Sequence, residues 1–307
     1  MIVVFGTLNA DLVMVVPHLP RPGEGVKGAD PQFLPGGKGG NQALAAARAG
    51  AKVALVGAVG RDDFAEVALD GLARAGIDLA RVVRSDRPTG LQTIAVDPRG
   101  ENLMIGSAAA NGDARPSDLA PLLGPDTTLL VQASIGARAA ETAIALGRLA
   151  AARVIFNAAP ATAVGEACLT GADVVVVNEH EAGTLARRLD LPAEAALFAR
   201  AAAARFVATV VVTLGGRGLV AATAEGRRYE GRPPEVAVID TTGAGDALVG
   251  ALAAALDRGA DLDTALREGL VAGALACRAT GARASFAGAD EIRRRAREVA
   301  PTIVEEA

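Results

Sequence analysis

The chain has 307 residues, a formal net charge of −4, a hydrophobic fraction of 51% and only 3% aromatic residues with no Trp. The length suits one large domain or a domain with an appendage, and the composition excludes both a disordered chain and a basic, aromatic-stacking surface for nucleic acid. Two widely spaced thiols, Cys168 and Cys277, without a CxxC or histidine companion, exclude a disulfide framework and a zinc site.

From the N-terminus, short β-branched runs predict strands over 2–5, 53–59, 128–131, 154–156, 174–177 and 210–214. Alanine-rich helical patterns lie between them at 41–49, 64–75, 139–151, 181–189 and 193–206. Continuously apolar strands alternating with helices predict an α/β fold, a mostly parallel, Rossmann-like sheet with helices on both faces. The apolar runs are strand-length, well short of a membrane span, and "MIVVFG" enters a strand with no basic region or cleavage site before it. The expectation is a cytoplasmic chain with neither membrane nor nucleic-acid partners.

Two segments break this rhythm. Residues 11–34 are broken by Pro and Gly and carry no helical pattern, and residues 90–106 read as a hairpin turning at "DPRGE". These strands suit either a small β-sheet lid beside a site or an edge extension of the main sheet. The lid reading divides the chain into a main domain of 1–10, 35–89 and 107–307 and a lid of 11–34 and 90–106.

Glycine-rich stretches mark the candidate chemistry. "GEGVKG" (23–28) has the letters of a dinucleotide fingerprint but neither leaves a strand nor opens a helix. No P-loop is present, because Gln32 stands at its first glycine position and Gly39 follows Lys38. In "PGGKGGNQALAAARAG" (35–50), four glycines surround Lys38 before a helix. They fit close approach of a ligand to the backbone, or a bare loop with Asn41 starting the helix. "NEHEA" (178–182) sets Asn178 and Glu181 three apart at a strand–helix junction. Such oxygens suit Mg²⁺ waters and phosphate, though acids also begin helices for capping alone. "TLGGRG" (213–218) ends a strand where parallel sheets bind ligands. His18 and His180 have no metal-ligand companions.

The most informative stretch is "DTTGAGDALVGAL" (240–252), between "EVAVI", which reads as a strand, and a buried helix. A helix N-terminus opened by Gly243 and Gly245 attracts an anion. Asp246 there is either an N-cap or a base held beside a phosphate-binding turn.

Taken in order, "GTLNAD" (6–11), "GGKGGNQA" (36–43), "NAAPA" (157–161), "VNEHEA" (177–182), "TLGGRG" (213–218) and "DTTGAGDAL" (240–248) resemble the ribokinase-like (PfkB) family of carbohydrate and nucleoside kinases. The resemblance runs across essentially the whole chain and is nearest to the bacterial ribokinase branch. It implies ATP-dependent phosphorylation of a small carbohydrate, ribose to ribose 5-phosphate first. The alternatives are a fructose or other ketose kinase, a keto-deoxy sugar acid kinase, a nucleoside kinase, or a non-catalytic nucleotide- or sugar-binding protein. Under it, Asp246 is the general base, and Gly243, Ala244 and Gly245 offer backbone N–H groups to the transferring phosphoryl group. Asn9, Asp11, Gly37, Lys38 and Asn41 bind the sugar; Asn178 and Glu181 organise Mg²⁺ and phosphates; Thr213, Gly215 and Gly218 line the nucleotide. Asp240, Thr242, Ala276, Gly281 and Ser285 enclose a monovalent cation, K⁺, and the lid forms a homodimer contact. Three positions depart from the pattern: Ser134 replaces a sugar-binding Glu, Leu270 replaces Asn or His near the adenine, and Phe286 follows Ser285 in place of Pro.

Overall fold

The computed structural model describes residues 1–304. In chain order the strands are β1 (Ile2–Phe5), β2 (Asn9–Val15), β3 (Gln32–Gly36), β4 (Val53–Val59), β5 (Asp78–Arg84), β6 (Gly90–Val96) and β7 (Asn102–Ser107). They continue with β8 (Thr128–Gln132), β9 (Arg153–Asn157), β10 (Val174–Asn178), β11 (Thr209–Thr213), β12 (Leu219–Ala222), β13 (Arg228–Gly231) and β14 (Ile303–Val304). The α-helices are α1 (Lys38–Arg48), α2 (Phe64–Leu69), α3 (Ala137–Leu149), α4 (Glu166–Thr170), α5 (Glu179–Leu189), α6 (Ala195–Phe206), α7 (Ala244–Asp257), α8 (Leu262–Ala276) and α9 (Ala289–Ala296).

Ten strands form the main sheet in the order β14-β13-β12-β11-β10-β9-β8-β1-β4-β5. From β11 to β5 every pairing is parallel, and β12 to β14 add an antiparallel edge. Alternation along each strand divides the core between the two faces. Ile2 and Val4 of β1 pack with Leu252 and Leu266 from α7 and α8, while Val3 and Phe5 pack with Ile144, Leu185 and Phe198 from α3, α5 and α6. Burying each such large side chain stabilises the fold by roughly 1.5–3 kcal/mol. Both faces are therefore sealed, and the strand ends are left for chemistry.

A separate sheet runs β3-β2-β6-β7. The expected hairpin is β6–β7, and the buried Asp97 carboxylate closes its turn by accepting the N–H groups of Arg99 and Glu101. The two sheets meet at Asn111. Its side chain accepts from Leu8 N at 2.8 Å and donates to Leu8 O at 3.1 Å and Asn9 Oδ1 at 2.9 Å.

Two expectations are corrected. Residues 235–239, "EVAVI", are not a strand: they run unpaired past the end of α8, Ile239 N donating to Cys277 O, with Val238 64% and Ile239 65% exposed. The outer edge of β13 is taken by β14, from near the other end of the chain. The helix expected over 64–75 stops at Leu69, because Gly71 turns to φ +79, and only a 3₁₀ turn follows at Ala73–Ala75.

Candidate active site

The predicted residues gather at the C-terminal ends of the parallel strands, the crevice where open α/β sheets bind ligands. Gly243 starts α7 in the left-handed region, φ 81. A Cβ there would lie 2.6 Å from Ala282 O, so only glycine fits. Ala244, Gly245 and Asp246 form the first turn, and the N-terminus of α7 faces a cavity of about 220 Å³ shared with Lys38, Asn178 and Glu181.

Asp246 is not the cap of α7, which has no side-chain cap at all. The carboxylate turns across to α1 instead, where Oδ2 accepts from Asn41 Nδ2 at 2.9 Å and Oδ1 from Gln42 Nε2 at 2.8 Å. Asp246 is only 8% exposed. Two neutral amides thus aim a buried carboxylate without neutralising it by an ion pair.

Behind it lies a polar chain inside an apolar core. Gln42 also donates to Asn157 Oδ1 at 2.9 Å and accepts from Gln132 Nε2 at 2.8 Å. Gly6 is glycine because Gln132 Oε1 occupies the space a Cβ would take. Gln42, Gln132 and Asn157 had no assigned role in the sequence reading. The available signal was a polar side chain ending each otherwise apolar strand run, "TLLVQ" and "VIFN".

Of the residues expected to bind the sugar, Asn9 and Asp11 sit on β2, with Gly37, Lys38 and Asn41 at the start of α1. Gly37 is strained for other residues, with φ +85 and Thr7 O 2.6 Å from a hypothetical Cβ. The Asp11 carboxyl lies over Gly36, where a Cβ would come within 2.2 Å. Its Oδ1 is buried without a partner, an acceptor waiting for a donor such as a sugar hydroxyl. Burial pushes the Asp11 carboxyl up to about 7, with Arg283 pulling down and Asp246 adding to the rise. Arg283 is a further residue not singled out in the sequence. Burial draws its guanidinium down to about 10, against Asp11 and Asp246, so it stays cationic at neutral pH. Ser134 Oγ sits 3.2 Å from Thr7 Oγ1, a neutral hydroxyl pair.

Asn178 and Glu181 form a capping box on α5: Asn178 Oδ1 accepts from Glu181 N, and Glu181 Oε2 from Asn178 N, both at 2.8 Å. The capping box leaves both residues lining the 220 Å³ cavity as well. Burial raises the Glu181 carboxyl, offset in part by the Asn178 N–H and by Lys38. No group of three or more His, Cys, Asp or Glu able to hold a metal occurs among the described residues. Glu181 would offer a carboxylate oxygen to a Mg²⁺ whose other ligands were phosphate oxygens and waters.

A second cavity of about 340 Å³ adjoins through Thr213 and Gly245, lined by Gly215, Gly218, Val236, Val238 and Leu270. The run 235–239 thus becomes a wall of this apolar slot. Larger hollows of about 700 and 760 Å³ lie elsewhere, beyond β5 and at the N-terminal ends of β8 and β9, and touch none of the predicted residues.

The loop residues named for a cation converge as well. Asp240 accepts from Thr242 N at 2.9 Å and Gly281 N at 2.8 Å, and Ser285 Oγ donates to Ala276 O. Burial pushes the Asp240 carboxyl up, but these backbone N–H groups together outweigh it and hold it below the usual range. An anionic oxygen among carbonyl and hydroxyl oxygens is a donor set that fits a monovalent cation.

A family model described as pfkB family carbohydrate kinase matches residues 1–287. The ribokinase of Haemophilus influenzae is 32% identical over 291 residues, 92% of this chain and 94% of that one. The crystal structure of Thermotoga maritima ribokinase is similar with a TM-score of 0.85 at 29% identity, covering 96% of this chain and 98% of the other. Arabidopsis thaliana ribokinase complexed with ribose and ATP also gives 0.85, at 26% identity over 96% and 98%.

Proposed function

The chain belongs to the pfkB family of carbohydrate kinases, and on that premise we propose that it transfers the γ-phosphate of ATP to the 5-hydroxyl of D-ribose. The observation that carries the reading is Asp246, a buried carboxylate aimed by Asn41 and Gln42 into the cavity at the start of α7. The similar Arabidopsis enzyme was solved with ribose and ATP.

Phosphoryl transfer asks the protein mainly for positioning and for stabilisation of spreading charge. The acceptor lies against Asn9, Asp11, Gly37, Lys38 and Asn41, with Asp11 Oδ1 accepting a hydroxyl. Asp246 takes the proton from the attacking hydroxyl as the oxygen approaches phosphorus. The N–H groups of residues 243–245 and the α7 dipole meet the charge on the equatorial oxygens. Lys38 lies beside the same phosphate. The base of ATP fills the apolar slot at Leu270, past Thr213, Gly215 and Gly218. Glu181, with water, would hold Mg²⁺, which would supply screening of the phosphate charge. Asp240, Thr242, Ala276, Gly281 and Ser285 would hold K⁺, and the charge it supplied would keep the turn before α7 in shape.

The four-stranded sheet serves as the lid, residues 11–34 and 90–106. Its exposed Val15, Phe33, Met104 and Ile105 suit cover by a second copy in a homodimer. A cytoplasmic setting agrees with two buried free thiols. No helix among the described residues is long and apolar enough to cross a membrane.

Acceptor identity is tested by kcat/KM over ribose, 2-deoxyribose, fructose and a nucleoside. A site built to bond a hydroxyl rejects an analogue without it, because its polar groups are left unpaired. Ribose should lead and 2-deoxyribose be at least about tenfold poorer. The neutral Thr7–Ser134 pair offers the sugar no carboxylate. Any competitor more than about tenfold better than ribose overturns the ribose assignment and leaves the family alone standing.

The cation is tested separately. Replacing Na⁺ by K⁺ at constant ionic strength should raise kcat, and Asp240→Ala should abolish the response. Equal rates in both salts would remove K⁺ from the account.

A further inference from the structure

We propose that Arg283 is a positioning residue for the acceptor half of the site, a buried guanidinium that acts by fixing the orientation of Asn41. The proposal rests on the reading that Asp11 and Asn41 hold the acceptor. Arg283 is 5% exposed. Its Nε donates to Asn41 Oδ1 and its Nη2 to Gly36 O, both at 2.8 Å. Nη1 donates to Ala68 O and Asp70 O, each at 3.1 Å.

The consequence follows from the polarity of a primary amide. With its oxygen pinned by Arg283, Asn41 must present its NH₂ group to Asp246, as it does at 2.9 Å. The flipped amide would set oxygen against carboxylate and nitrogen against guanidinium. Arg283 therefore reaches the base through Asn41 without touching it. The carbonyls of Ala68 and Asp70, in the last turn and at the C-cap of α2, hold the other side of the fork still. Lysine cannot copy this, because one nitrogen cannot reach Asn41 and both of those carbonyls together. A buried charge of this kind is expensive unless fully bonded, which argues for a role beyond packing. Arg283 also stands two residues after Gly281, whose N–H holds Asp240. One loop thus carries a residue for each half of the site.

Removing the guanidinium outright leaves four acceptors unpaired and risks the fold, so a milder displacement accompanies it. A Cβ on Gly40 would lie 2.2 Å from Arg283 Nη2 and 3.0 Å from Leu8 Cδ2, both ends of side chains. Gly40→Ala therefore pushes the fork aside while keeping its charge, at a helical position where Ala is the better residue. Steady-state kinetics on Gly40→Ala, Arg283→Lys, Asn41→Ala and the Asn41→Ala/Arg283→Lys double variant decide the matter. The first two should raise the KM for sugar at least about tenfold and lower kcat, with the KM for ATP unchanged within about twofold. In the Asn41→Ala background, Arg283→Lys should add less than about threefold, because the residue it acts through is gone. Sugar and ATP constants rising together, losses that multiply in the double variant, or an unchanged sugar KM would each overturn the proposal. A parent enzyme that phosphorylates no sugar overturns the functional reading first, and this inference with it.

Discussion

Asp246→Asn should lower kcat by about 10²–10⁴, the usual worth of a positioned general base, while ATP binding and the fold persist. The substitution keeps the size of the side chain and removes its basicity. It also has a structural cost that the geometry allows to be foreseen. Asp246 accepts two amide donors, from Asn41 and Gln42, whereas an Asn side chain has one accepting oxygen. Its own NH₂ must then face one of those donors, at a cost of about 1–3 kcal/mol in a site this buried. Thermal unfolding and calorimetric titration with ATP separate this loss from the loss of the base. Turnover within about threefold of the parent would remove Asp246 from its role.

Asp11→Asn should raise the KM for sugar about 10–100-fold, since hydrogen bonds to a charged group are worth about 1.5–3 kcal/mol. The same change should stabilise the protein at pH 8. The carboxyl is raised from 3.8 to about 7 in the folded chain, by burial first and by Asp246. Between those values the unfolded chain releases a proton that the folded chain keeps, so stability falls as pH rises through the window and levels off above it. The neutral Asn escapes that loss. Its midpoint at pH 8 should exceed that of the parent by roughly 2 °C or more, and the gain should vanish near pH 4. In the parent, kcat/KM for sugar should climb as pH rises through about 7, as Asp11 ionises beside Arg283. That climb should be absent in Asp11→Asn. A climb that survives the substitution assigns the titration to another group, and lower stability of Asp11→Asn at pH 8 would mean that Arg283 needs the charge more than burial opposes it.

The architecture was legible where burial on both faces forced one residue type, as in the four valines of β10. It was misread where a strand-like composition had no partner. "EVAVI" follows Pro233 and Pro234 and pairs with no strand, and the edge of β13 is filled by β14 from the far end of the chain. Edge strand β5, "DLARVVR", was invisible because half-exposure mixes charge into its pattern. The site divides the same way. Asp246 and the glycine turn stand together in sequence and could be found by spacing. Their supports could not: Gln42 is 204 residues from Asp246, and Arg283 is 242 from Asn41. Local pattern carries the proposed reacting groups, and only the folded chain brings in the side chains that aim them.

The central claim is tested most directly by following the phosphoryl group itself. Enzyme, D-ribose and ATP labelled with ¹⁸O at the γ-phosphate oxygens are incubated with Mg²⁺ and K⁺, and the products are resolved by mass spectrometry. The account predicts ribose 5-phosphate carrying the label, formed one for one with ADP, and neither product from the Asp246→Asn enzyme on the same timescale. Labelled inorganic phosphate in place of a sugar phosphate, or no ADP with ribose present, would contradict it.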